Sequence, residues 1–390
     1  MRDLVPALER RRQQHLYRQR QTLGTPQGVE ITVDGTPYLS FCSNDYLGLA
    51  NHPALVRALA EGARRFGVGS GAAHLITGHS YAHQALEEDL AAFTGRPRAL
   101  LFSTGYMANL GIASALLRRG DTLVEDRLNH ASLIDAAQLS GARLVRYRHT
   151  DMDSLARRLS GVSSGDTLVA TDAVFSMDGD CAPLADMQAL CNRHDAWLLA
   201  DDAHGFGVLG EQGGGWLKSQ VGEGAANTVL MATLGKALGT FGAFVAGSDA
   251  LIETLVQQSR TYVYTTATPP AVAWATRTAL RLVREGDDLR THLNELIKRF
   301  RTAAAQLELP LMASLTPIQP LQVGDAAMAL GLGDALRRQG ILAGVIRPPT
   351  VPEGAARLRI TLSAQHTPEQ VDRLLDVLGK SYREVMNAAS

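Results

Sequence analysis

Between about residues 95 and 250, short apolar runs rich in β-formers alternate with helical or polar stretches, and the runs tend to end in Gly, Ser, Thr or Asp. The pattern predicts strands at Ala99–Ser103, Thr122–Glu125, Arg143–Tyr147, Thr167–Thr171, Trp197–Ala200, Thr228–Ala232 and Ala243–Ala246. Runs such as "WLLA" and "TVLMA" are apolar throughout instead of alternating, as strands covered on both faces must be. Strands separated by helical stretches predict an α/β fold with a mostly parallel sheet and helices on both faces. In such a sheet ligands sit beyond the carboxyl ends of the strands, so chemistry is expected in the residues that directly follow these runs.

After about residue 285 the texture changes to long helical patterns with a few strands. Thr367-Pro368-Glu369-Gln370 supplies a cap, a first-turn proline and a capping-box glutamine. It opens an amphipathic helix with Val371, Leu374, Leu375 and Leu378 on one face. A chain of 390 residues exceeds what one core usually holds. The expected division is an N-terminal arm over 1–40, a large domain over 41–284 and a small C-terminal α/β domain over 285–390. No internal repeat or low-complexity tract interrupts it.

A formal net charge of -1 and a pI near 6.8 exclude a global field that would draw the protein to nucleic acid or anionic lipid, which leaves small molecules as partners. Arg10, Arg11, Arg12, Arg18 and Arg20 give local basicity that suits a solvated helix face. The cysteines, Cys42, Cys181 and Cys191, are odd in number and make no CxxC pair, against a disulfide framework or structural zinc. The first thirty residues lack an apolar core, and no run is long enough to span a bilayer; a soluble cytoplasmic protein is expected.

Lysine is scarce: Lys218, Lys236, Lys298 and Lys380 are the full set. Three of them fall in polar helical or loop positions, whereas Lys236 follows "TVLMA" inside Thr233-Leu234-Gly235-Lys236-Ala237-Leu238-Gly239. At the end of a buried strand, between glycines, desolvation favours a neutral amine and a ligand can approach the backbone. Such a lysine is a Schiff-base candidate, with a surface loop lysine as the plain alternative. One strand earlier stands Trp197-Leu198-Leu199-Ala200-Asp201-Asp202-Ala203-His204-Gly205. Asp201 there is a metal ligand, a helix cap or the partner of a protonated heterocycle. The last option fits pyridoxal phosphate, whose ring becomes an electron sink when its nitrogen stays protonated, and His204 is then placed for the phenolate oxygen. Ser103-Thr104-Gly105-Tyr106-Met107-Ala108-Asn109 follows a strand and opens a helix whose N–H groups can take a phosphate. His130, in Asn129-His130-Ala131-Ser132, is a candidate to stack on the ring, and Ser176, in Phe175-Ser176-Met177-Asp178-Gly179-Asp180, a polar contact near it.

Two other patterns carry less. Gly205-Phe206-Gly207-Val208-Leu209-Gly210 matches G-x-G-x-x-G but is followed by "EQGGGW" in place of a helix, against a nicotinamide site. His79 and His83 have the spacing of a zinc pair, yet Ser80-Tyr81-Ala82 between them offers no glutamate base and no third ligand is evident; both read as ordinary helix residues, with no metal expected.

Together these motifs resemble the α-oxoamine synthase family of fold-type I pyridoxal-phosphate enzymes, over almost the whole chain. The resemblance rests on "FCSNDYLGLA", "GSGAAHLITG", "HQALEEDLAAF", "FSTGYMAN", "NHASLIDA", "VFSMDGD", "DDAHGFGVLGEQG", "ATLGKALG" and "YVYTTATPP". It implies a seven-stranded sheet and a decarboxylative acyl transfer onto an amino acid. The block "IRPPTVPEGAARLRITLSAQHT" points to the member that joins L-alanine to a pimeloyl thioester, on coenzyme A or acyl carrier protein, in biotin biosynthesis. The alternative is a glycine-dependent member making 2-amino-3-ketobutyrate or 5-aminolevulinate.

By position, the resemblance implies that Lys236 holds the cofactor, Asp201 pairs with the pyridine nitrogen, His204 contacts the phenolate oxygen and His130 stacks on the ring. Gly105 and Tyr106 would give backbone N–H groups to the phosphate, Thr233 its hydroxyl, and Thr266 a hydroxyl from the other subunit of a homodimer. Arg347 would clamp the amino-acid carboxylate, Asn44 and Ser176 lie near the substrate and Arg18 near the acyl group. Relatives commonly have glycine-serine where this chain has Ala72-Ala73, a departure in that loop.

Overall fold

Two short strands, β1 (Glu30–Val33) and β2 (Thr36–Phe41), precede the seven apolar runs in a computed structural model that describes residues 3–14, 16–223 and 225–389. The runs become β3 (Arg98–Phe102), β4 (Thr122–Asp126), β5 (Arg143–Tyr147), β6 (Thr167–Asp172), β7 (Trp197–Asp201), β8 (Thr228–Thr233) and β9 (Ala243–Gly247). After them come β10 (Ile318–Gly324), β11 (Ile341–Ile346) and β12 (Ala356–Thr361). The chain divides into two compact units: Leu49–Ser176 with Cys181–Arg290, and Met1–Gly48 with Met177–Asp180 and Thr291–Ser390.

In the first unit, β3 to β9 make one seven-stranded sheet in the order β3-β9-β8-β7-β6-β4-β5. β8, β7, β6, β4 and β5 run parallel, and β9 pairs antiparallel with both β8 and β3. Every residue of β4 and β6 is buried, as are Leu198, Leu199 and Ala200 of β7, which explains their unbroken apolar character. Several strands continue to a carboxylate at the carboxyl end, giving Asp126, Asp172 and Asp201, and the register sets Asp172 beside Asp201. After β8, Gly239 adopts φ +66, and a Cβ there would lie 2.4 Å from the Ala50 nitrogen, so only glycine closes this loop against the neighbouring backbone.

In the second unit, the sheet order is β1-β2-β11-β12-β10, with β2 parallel to β11. His366 stacks on Phe41 at 4.2 Å and its Nε2 lies 2.9 Å from the Ser40 carbonyl oxygen, which ties the N-terminal strands to the start of the last helix. That helix, Pro368–Ala389, begins with the capping box seen in the sequence: the Thr367 N–H donates to Gln370 Oε1 (3.0 Å) and the Gln370 N–H to Thr367 Oγ1 (3.3 Å). Its Val371, Leu374, Leu375 and Leu378 are buried. Among the described residues no helix is long and apolar enough to cross a membrane.

Asp202, next to the end of β7, is fully buried and accepts an N–H bond from Leu217 at 2.9 Å. Burial, the largest effect, pushes its carboxyl up from 3.8 to about 8. The folded state therefore holds a proton that the unfolded chain releases. Stability from this group is full below pH 3.8 and falls as pH rises through about 8. Asp202→Asn should flatten the decline of unfolding free energy between pH 4 and 8 by up to about 1.4 kcal/mol per pH unit, measured by urea titration; an unchanged slope would contradict this assignment.

Candidate active site

Thr233 ends β8, and the loop after it is folded by three backbone bonds, Leu234 N–H to Gly242 O (2.9 Å), Thr240 N–H to Leu234 O (2.9 Å) and Gly239 N–H to Lys236 O (2.8 Å). The loop turns the half-buried Lys236 back towards the strand end, where Nζ donates to Thr233 Oγ1 at 3.3 Å. Facing Thr233 is the first turn of the helix Gly105–Leu116, capped by Thr104, whose Oγ1 accepts from the Met107 N–H at 3.2 Å. A Cβ on Gly105 would sit 2.8 Å from Thr233 Cγ2, so the absence of a side chain permits the approach. The N–H groups of Gly105 and Tyr106 have no acceptor within their own helix, and a helix start of this kind attracts an anion. The Tyr106 side chain points elsewhere: its hydroxyl donates to Asp135, and that bond holds the phenol above its usual pKa.

Asp201 is buried at the end of β7 and bonded on both oxygens, Oδ2 accepting from Asn109 Nδ2 at 2.8 Å and Oδ1 from the Ala203 N–H at 3.1 Å. Asn109 Nδ2 also donates to Ser132 Oγ at 2.9 Å. Ser132 in turn meets His130 Nδ1 through its hydroxyl at 2.7 Å and its N–H at 3.3 Å. With Nδ1 accepting, the ring proton is assigned to Nε2 and the exposed His130 imidazole is fixed at the head of the helix Ala131–Ser140. The His130 N–H donates to Asp172 Oδ1 at 3.3 Å. Burial, reinforced by the charge of Asp201, raises Asp172 well above the carboxylate range.

His204 is half-buried in the turn after β7, and Ser176 is half-buried four residues beyond the end of β6. Thr266 forms an antiparallel bridge with Ala73, beside the Ala267 N–H bond to Ala72 O at 3.0 Å. In the other compact unit, Arg18 and Arg347 line one cavity of about 900 Å³ together with Arg12, Arg337 and Cys42. Arg347 Nη2 donates to the Tyr17 carbonyl at 3.0 Å and Arg18 Nη2 to Thr350 Oγ1 at 3.3 Å. Asn44 Oδ1 accepts from Arg359 Nη2 and from the Tyr46 hydroxyl, both at 3.2 Å.

Four polar residues around these positions were not singled out from sequence: Asn109, Ser132, Asp172 and Arg359. A signal existed for Asn109, which shares the buried face of its helix with Ala108, Ile112 and Ala113; an amide among apolar neighbours needs a partner. Nothing local marks Ser132 or Asp172, because their role comes from strand order. One sequence reading is corrected: His79 precedes the helix Tyr81–Thr94 instead of lying in it, and the π-helical turn His74–Gly78 brings the His74 ring beside His79 and His83.

The sequence profile of the family "Aminotransferase class I and II" matches residues 36–378. An 8-amino-7-oxononanoate synthase of Thioalkalivibrio sulfidiphilus is 60% identical over 98% of this chain and 98% of its own length. The solved 8-amino-7-oxononanoate synthase of Francisella tularensis is 32% identical, with TM-score 0.78 over 89% of this chain and 98% of that one. A high-resolution structure of a serine palmitoyltransferase with PLP is 28% identical, with TM-score 0.92 over 98% and 97% of the two chains.

The donor set fits pyridoxal phosphate on its own chemistry. It offers an amine beside a hydroxyl at Lys236 and Thr233, a side-chain-free helix start at Gly105 and a buried, bonded acid at Asp201. Gly105→Ala would push a methyl into Thr233. It should weaken cofactor binding by at least about tenfold, since a buried overlap of this size costs roughly 1–3 kcal/mol. Cofactor absorbance titration of the apoenzyme, with far-ultraviolet dichroism unchanged, is the measurement, and equal affinity would refute the cradle.

Proposed function

The chain belongs to the class I and II aminotransferase family, and on that premise we propose that it condenses L-alanine with a pimeloyl thioester, releasing carbon dioxide and the carrier thiol to give 8-amino-7-oxononanoate in biotin biosynthesis. The observation that carries this reading is the 60% identity with a synthase of that name across 98% of both chains. The enzyme is a C-acyltransferase that uses pyridoxal phosphate.

When bound, the cofactor supplies a delocalised system that stabilises negative charge at the α-carbon of the amino acid. Lys236 would hold it through Nζ, and the same amine, when free, would serve as general base toward the α-proton of the amino acid. Asp201, fixed by Asn109 and Ala203, keeps the ring nitrogen protonated. His130 would support the face of the ring and His204 and Ser176 its edge. The Gly105 and Tyr106 N–H groups and the Thr233 hydroxyl would hold the phosphate.

Thr266 reaches the phosphate from the second copy in a homodimer with shared sites. Arg347 grips the alanine carboxylate as a bidentate clamp and orients the bond that breaks when carbon dioxide leaves. Asn44 lies near the amino acid and Arg18 near the acyl group. Both act from positions already fixed by Arg359 and Thr350.

Alanine and glycine, each offered with pimeloyl-, acetyl- and succinyl-CoA, test the reaction. Product and carbon dioxide should form with alanine and pimeloyl-CoA, whereas preference for glycine with a short acyl group would replace this reading by a glycine-dependent one. Lys236→Ala should abolish turnover and the visible absorbance of the tethered cofactor while the fold persists. Arg347→Ala should lower kcat/KM for alanine roughly 10- to 100-fold, as expected for lost hydrogen bonds to a charge. Arg347→Lys should recover little, because an ammonium cannot make the two-pronged contact.

A further inference from the structure

His74, His79 and His83 converge from separate pieces of backbone. His74 opens a π-helical turn, His79 follows that turn and His83 lies in the first turn of the helix Tyr81–Thr94. Their rings sit 5.1 to 5.7 Å apart, centroid to centroid, and one nitrogen from each lies within 4.8 Å of the others. His74 and His83 are buried, while His79 is half-exposed and opens the cluster to solvent. Isolated π-helical turns are rare and recur at functional sites.

The hydrogen bonds fix where the protons are. His83 Nε2 lies 2.7 Å from the Thr268 carbonyl, an acceptor only, so Nε2 carries the proton and Nδ1 a lone pair. That lone pair accepts from the Ser80 N–H at 3.0 Å. His79 Nε2 faces Gln84 Oε1 at 3.3 Å and Glu87 Oε2 at 3.9 Å, which places its proton on Nε2 and its lone pair on Nδ1. His74 Nδ1 is 3.0 Å from His79 Nδ1, and a single proton bridges the two nitrogens. Burial pushes His74 down to about 3 and lowers His83, which favours the neutral form of both rings.

We propose that His74, His79 and His83 form a site for one borderline divalent transition metal ion of the zinc, nickel or copper class. As the ion enters, the proton between His74 and His79 shifts to His74 Nε2, the Ser80 N–H and hydroxyl give up His83 Nδ1 and turn to water, and three nitrogen-to-metal bonds form with water completing the shell. Tetrahedral zinc needs ligand nitrogens roughly 3.3 Å apart, close to the His74–His79 pair at 3.0 Å. The remaining nitrogens lie within 4.8 Å of one another, so the side chains must close by up to about 1.5 Å to reach that spacing. The outer partners match those of metal-bound histidines, with a backbone carbonyl behind His83 and the Glu87 carboxylate behind His79. Imidazoles without a carboxylate in the inner set disfavour magnesium and calcium. The ion would fasten the segment around Ala73, which bridges Thr266, to the Thr268 carbonyl that His83 and Ser70 already hold.

The test uses untagged holoenzyme dialysed against chelator and then titrated with Zn2+ in competition with a chromophoric chelator. One Zn2+ per chain should bind at micromolar concentration. Glu87→Gln should weaken it roughly 10- to 100-fold, and His79→Gln or His74→Gln by more. Cu2+ on the unmodified enzyme should show electron-spin resonance splitting from three imidazole nitrogens, a readout that survives if the buried His74 variant does not fold. Failure of the unmodified enzyme to compete for Zn2+, affinity unchanged in His79→Gln, or splitting from fewer than three nitrogens would each overturn the site.

Discussion

A carboxylate at the end of a buried parallel strand cannot be left to water, and the way Asp201 is satisfied organises the surrounding structure. Its oxygens take Asn109 from one side and the turning backbone at Ala203 from the other. Asn109 is presented by the helix whose first residue, Gly105, touches Thr233, and the same amide reaches Ser132 and through it His130. One buried acid thus couples the helix that offers a phosphate site, the strand-end threonine beside Lys236 and the imidazole that faces outward. Removing the Asn109 amide would leave Asp201 with an unmatched oxygen, a cost usually of about 1–3 kcal/mol, and would also free the orientation of His130.

The neighbours of Asp201 show what this arrangement demands electrostatically. Asp172 lies beside it in register and Asp202 follows it in sequence, and both are buried. Three adjacent negative charges in a low-dielectric region would repel strongly. Burial raises Asp172 and Asp202, which favours their protonated forms and relieves that repulsion. The residues that look redundant in Asp201-Asp202 have different partners: the first takes the Asn109 amide and the Ala203 N–H, while the second caps the helix Trp216–Val221 through the Leu217 N–H.

Much of this was legible in the sequence because strand burial and strand ends are local properties. The unbroken run in Trp197–Ala200 announced a two-sided strand, and the residues after it and after "TVLMA" were recognisable as chemistry-bearing by position alone. Relations across the sheet were not legible. That β9 runs antiparallel between β3 and β8, that Asp172 sits beside Asp201, and that β2 pairs with β11 far along the chain are facts of topology. No window of neighbouring residues encodes them. Asn109 lay between these cases: its buried position on an apolar helix face was readable, its partner was not.

The histidine cluster shows the same limit from the other direction. His79 and His83 drew attention through spacing that assumes an α-helix, yet the spacing was misleading because His79 lies outside the helix. What unites the three rings is a backbone irregularity, the π-helical turn at His74–Gly78, which adds a residue per turn and swings His74 under its neighbours. The turn is held in place by the Ala72 and Ala73 contacts to Thr266 and Ala267 and by His83 on Thr268. Ala72-Ala73 is also where the chain departs from its resemblance, so the altered loop and the cluster share one structural origin. The rings pack against Tyr262 and Glu87, and at His74 and His79 two facing nitrogens share one proton, an arrangement set by the turn and not by the spacing of the residues in the chain.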